Sequence, residues 1–114
     1  MILSILAFLA VAAAITYVIK ITFNWVRNKI REKLAKRNAK KVYMTEVNRL
    51  VEQMADNCDN KMTLDELENY DVVMATINDE NEVEDVDLIK NTDDELDRDV
   101  DKWLSSNREI VITN

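Results

Sequence analysis

Residues 2–19 of this chain carry no charged side chain, and the next 22 residues carry nine Lys or Arg against one Glu. That step limits the fold more than any other feature, because an uncharged run of this length has few ways to be buried. As one helix the 18 residues span about 27 Å, close to the hydrocarbon thickness of a bilayer. Tyr17, Phe23 and Trp25 stand near its end, where amphipathic rings prefer the headgroup level. The reading is a single membrane-spanning anchor over residues 1–26. A cleaved export signal competes with it, using Ala12-Ala13-Ala14 as the small-residue site. Three features oppose cleavage: there is no basic segment before the run, apolar residues continue to Ile19, and nine cations follow. A buried helix of a globular domain is the third option, disfavoured because the run has no polar stripe.

The nine cations are Lys20, Arg27, Lys29, Arg31, Lys33, Lys36, Arg37, Lys40 and Lys41. Val26, Ile30 and Leu34 lie four apart among them, so residues 27–42 read as a basic, weakly amphipathic juxtamembrane helix. The positive-inside rule then puts the N-terminus outside and the rest in the cytoplasm, at a plasma or inner membrane. Each cation near an anionic leaflet contributes about 1 kcal/mol, so anionic lipid headgroups are the expected partner of all nine. Nucleic acid is not expected, because the cations lack interleaved aromatic residues. Alanines 7, 10, 12, 13 and 14 give the anchor a small-residue surface on which helices can self-associate, so a homo-oligomer stays open.

From residue 42 on, six basic residues face 21 acidic ones. The chain contains neither Gly nor Pro. Nothing therefore breaks a helix from about residue 2 into the mid-fifties, and turns fall to Asn and Asp, which tolerate left-handed backbone. Tyr43, Val47, Leu50, Val51 and Met54 recur at helical spacing. A second helix follows the capping box Thr63-Leu64-Asp65-Glu66, with Leu64, Leu67, Tyr70, Met74 and Ile77 on one face. Its middle, residues 72–77, also tolerates a strand. Residues 78–87, NDENEVEDVD, read as an exposed acidic connector. Thr92-Asp93-Asp94-Glu95 forms a second capping box ahead of a helix carrying Leu96, Val100, Trp103 and Leu104. The β-branched, apolar tail, residues 109–113, is either a short strand or an extended arm. The expectation is a mostly α fold: the anchor, the basic helix, and an acidic cytoplasmic domain of two to three helices over residues 43–114, with a short C-terminal strand as an option.

Residues 55–66, ADNCDNKMTLDE, resemble the calcium loop of EF-hand proteins. With Glu66 as the twelfth position, Asn57, Asp59, Lys61 (through its carbonyl) and Thr63 fall at the third, fifth, seventh and ninth. The resemblance implies calcium on that set. Ala55 replaces the first carboxylate and Asn60 the turn glycine, and a helix end with an Asx-rich turn and a capping box accounts for the same letters. Otherwise no cofactor is expected.

Catalysis has little to work with. The chain has no His, and Cys58 stands among Asp56, Asp59 and Asn60, where negative charge raises a thiol pKa. The expected function is therefore that of a non-enzymatic, membrane-anchored interaction or regulatory protein, whose acidic domain docks an unidentified protein partner through Trp103, Ile110, Val111 and Ile112. A membrane-active, oligomerising protein of holin-like or toxin-like kind is the alternative.

Overall fold

The computed structural model describes residues 4, 5, 7, 8, 14–56, 64–93, 95–107 and 109–113. They form a mixed α/β domain built on one five-stranded sheet, which corrects the expectation of a mostly helical chain. In chain order the elements are β1 (Ile15–Ile19), α1 (Phe23–Leu34), β2 (Ala39–Glu46), α2 (Val47–Asp56), α3 (Leu64–Glu68), β3 (Val72–Asn78), β4 (Val83–Asn91), α4 (Arg98–Ser106) and β5 (Ile110–Thr113). The strand order is β1-β4-β3-β2-β5. β1 runs parallel to β4, and the other three pairs are antiparallel.

The anchor reading fails at its second half. Residues 15–19 are an edge strand, with Tyr17 opposite Ile89 and Ile19 opposite Asn91. In the first half, Ser4, Ile5, Ala7 and Phe8 are helical, and Ile5 is fully buried against Tyr43, Val47 and Leu88. The described residues of the uncharged run thus divide between a helical segment with Ile5 in the core and a strand. Among the described residues, no helix is long and apolar enough to cross a membrane. Neither the transmembrane helix nor the helical character of the chain stands.

The sheet is covered on both faces, so its central strands show no alternation. Every residue of β3 from Val72 to Ile77 is buried, as are Val42, Tyr43, Met44 and Thr45 in β2. Val73, Ala75, Ile77, Val86 and Leu88 point to one core, shared with Val47 and Leu50 of α2 and Leu67 of α3. Val42, Met44, Val72, Met74 and Ile89 point to the other, shared with Val26 and Ile30 of α1, Val100 and Leu104 of α4, and Ile110 of β5. Each such large side chain stabilises by about 1.5–3 kcal/mol, which outweighs the helix propensity of the same residues.

The connector at residues 78–87 is a correction too: it is a hairpin turn followed by β4. Asn78 Oδ1 accepts from the amides of Glu80 and Glu82, at 3.0 and 2.9 Å, and Asn81 takes φ of 66°. Asn does here what glycine does in most tight turns. The second capping box caps nothing. α4 starts later, capped by Asp97, whose side chain accepts from the Asp99 amide, while the Thr92 amide donates to the Ile19 carbonyl at 2.8 Å.

Candidate functional site

Two features stand out: a charged network inside the molecule and an aromatic cleft on its surface. The network begins on α1. Val26, Lys29, Ile30 and Lys33 follow three-and-four spacing, so they share the face turned toward the sheet, and Lys36 follows in the turn just after the helix. Asp85 and Asp87 sit two apart on β4, so they share one face of that strand. Thr76 of β3 lies beside Asp85 in the ladder, next to an irregularity between Thr76 and Ile77.

These pieces meet around Lys33, which is only 2% exposed. Its Nζ lies 2.6 Å from Asp85 Oδ1 and 2.8 Å from Asp87 Oδ2, and donates more weakly to Thr76 Oγ1 at 3.4 Å. Lys36 donates to the other Asp85 oxygen at 2.5 Å. Asp87 is 1% exposed, and among the described residues neither of its carboxylate oxygens accepts a hydrogen bond, so Lys33 meets it as an ion pair. At the near end, Lys29 donates to the Tyr17 hydroxyl at 2.8 Å and sits 4.6 Å from the ring centroid. Tyr17 packs edge-on against Trp25.

The electrostatics follow this geometry. Burial pushes the Asp85 carboxyl up, but hydrogen bonds from Lys33 and Lys36 and the Lys33 charge override it and hold it at about 2. Lys36 is raised, chiefly by its hydrogen bond to Asp85. Burial pulls Lys29 down, and its bond to Tyr17 together with the electrostatic attraction of Tyr17, Asp87 and Glu32 more than offsets this. Across the sheet, burial pushes the Tyr43 phenol up.

The cleft lies between the start of α1 and α4. Phe23, Asp99, Lys102, Trp103 and Ser106 line an open depression of about 590 Å³. The Phe23 and Trp103 rings are tilted against each other, with centroids 5.7 Å apart, and Phe23 stays 36% exposed. Beside it, Glu95, Leu96, Arg98 and Asp101 line a second, more polar depression of about 570 Å³.

The structure separates the nine cations expected at a membrane surface. Lys29 and Lys33 turn inward to Tyr17, Asp85 and Asp87, while Lys36 pairs with Asp85 from the exposed side. Arg27, Arg31, Arg37 and Lys40 are exposed, and Lys41 is half-buried. Lys20 is exposed and lies 3.5 Å from Asp93. Of the EF-hand-like set, Asn57, Asp59, Lys61 and Thr63 lie outside the described residues, and Glu66 is exposed on α3. Of the expected docking residues, Trp103 lines the cleft. Ile110 is buried in the core, Ile112 is half-buried, and Val111 is 47% exposed.

Sequence reasoning does not single out Asp85, Asp87, Thr76, Tyr17 or Phe23 for this role. The signal for the two aspartates is the alternation Asp85-Val86-Asp87-Leu88, a period of two that marks one apolar and one acidic strand face. The comparisons add no identification: no family model, no curated protein and no solved structure matches the chain.

Proposed function

We propose that this chain is a non-enzymatic interaction protein, and that its cleft between α1 and α4 receives an apolar residue of a basic segment of a protein partner. The observation that carries this reading is the Phe23–Trp103 pair, two aromatic rings lining an open depression, with Phe23 exposed and Trp103 packed only in part against the core. Half-exposed tryptophan beside a second ring is the composition of an interface hot spot. The charge of the occupant follows from the chain as a whole, which carries −7, since the cleft lining holds one charge of each sign, Asp99 and Lys102. Asp101 is exposed on the same helix and adds to the acidic surface. A cationic partner is steered toward such a surface and an anionic one is repelled.

Photocrosslinking in cells tests this. A photoreactive residue replaces Ser106 in the cleft, or Glu80 in the β3–β4 turn as a control. The expected result is a discrete protein adduct from position 106 and none from position 80. Trp103→Ala should weaken the adduct at least tenfold, and the pair Asp99→Lys with Asp101→Lys, both at exposed positions, should do the same. Equal adducts at both positions, adducts to lipid, or an adduct indifferent to the charge reversals would overturn the reading.

A further inference from the structure

The internal network leaves one buried group unsatisfied. Asp87 is 1% exposed, and among the described residues neither of its oxygens accepts a hydrogen bond. A buried carboxylate without donors is among the costliest arrangements in a protein, and one nearby ammonium compensates it poorly. That ammonium is Lys33, with Nζ 2.8 Å from Asp87 Oδ2 and itself 2% exposed. On the same nitrogen, at 2.6 Å, sits a second carboxylate, Asp85, whose other oxygen is held by Lys36. An amine, a carboxyl carbon beside it and a fixed second carboxylate, largely shut off from water between α1 and the sheet, are the parts needed for an acyl transfer onto nitrogen.

We propose that Lys33 and Asp87 close an intramolecular isopeptide bond, with Asp85 carrying protons during the step. The step requires that a proton first pass from the Lys33 ammonium to the Asp87 carboxylate, which exchanges two buried charges for a neutral amine and a neutral acid. Nζ then attacks Cγ of Asp87. Asp85 takes a proton from the nitrogen and delivers it to the departing oxygen. The Nζ–Cγ bond forms, one Cγ–O bond breaks, and two nitrogen protons leave with that oxygen as one water. The net charge of the pair is zero before and after, and nothing is oxidised or reduced. Two buried charges are replaced by a neutral amide, and α1 becomes tied to β4 through a covalent link that also restricts the unfolded chain. Asp85 then keeps Lys36 as its remaining cation.

The test is the intact mass of the purified, denatured full-length chain. The expected value lies below the sequence mass by one water, about 18 Da. Proteolysis should release one branched peptide joining residue 33 to residue 87. Lys33→Ala and Asp87→Ala should each show their full sequence mass. Asp85→Asn keeps both reacting groups, and should also stay at its full sequence mass while the sheet signature persists. Because the decisive reading is on the unaltered protein, misfolding of a variant does not spoil it. A wild-type chain at full sequence mass, a branch joining residue 33 to residue 85, or dehydration confined to a single linear peptide would overturn the proposal.

Discussion

Replacing Lys33 by alanine should destabilise the protein by about 3–5 kcal/mol, because it strands Asp87 in the interior with no cation. A domain of this size has only about 5–15 kcal/mol in total, so the variant should sit near the edge of unfolding. The geometry behind the figure is the burial of both partners, at 2% and 1% exposure, and the absence, among the described residues, of any hydrogen bond to Asp87 that could stand in. Removing both charges should behave differently. In Lys33→Met with Asp87→Leu, the sheet face keeps its volume and no charge is left buried, so the part of the loss due to the stranded carboxylate returns. Urea denaturation of the wild type, the single variant and the double variant checks this. A single variant within about 1 kcal/mol of wild type would show that Lys33 does not compensate Asp87, either as its counterion or as its covalent partner.

A second large effect is expected at Asn91, which ties three segments together. Its Oδ1 accepts from the Ile21 amide at 3.0 Å, just after β1. Its Nδ2 donates to the carbonyls of Asp93 and Glu95, at 3.1 and 3.0 Å, which shapes the loop ahead of α4. Its own amide donates to Asp71 Oδ2 at 2.7 Å. Asn91→Ala keeps that last bond and removes the first three. Ile21 is 1% exposed, so its amide has no water to turn to, and the total loss should be about 3 kcal/mol. Asn91→Asp keeps the acceptor for Ile21 and loses both donors, so it should fall between alanine and wild type. The comparison is again made in urea. If the aspartate variant is as damaged as the alanine variant, the bond to Ile21 is not what makes Asn91 costly to lose.

The helical faces were legible in the sequence. Val26 and Ile30 mark α1, Val47 and Leu50 mark α2, and Val100 and Leu104 mark α4; each of these side chains is buried where the spacing puts it. The strands were hidden for three separate reasons. β3 is buried on both faces, so residues 72–77 form an unbroken apolar run that also satisfies helical spacing through Met74 and Ile77. β4 looks like a solvated connector because the cations that offset Asp85 and Asp87 stand some fifty positions earlier, on α1 and in the turn just after it. β1 merges into a longer uncharged run, and hydropathy alone does not separate a span from a buried turn followed by an edge strand. Lys33 is one of nine cations that look equivalent in the sequence, although it shares the stripe of Val26 and Ile30 and is buried with them. The cleft was half visible: Trp103 stands out on its helical stripe, while Phe23 reads as a ring at a membrane boundary.

The most direct measurement is the pairing of β1 with β4, because that contact separates the folded sheet from a membrane helix over the same residues. Nuclear Overhauser effects between the backbone protons of β1 and β4 across the Tyr17–Ile89 and Thr16–Leu88 positions report it, as these residues are ladder partners. The structure predicts cross-strand contacts at both positions and slow exchange of the Thr92 amide, which donates to Ile19. Continuous helical connectivities through residues 14–19, with no contact to β4, would contradict it.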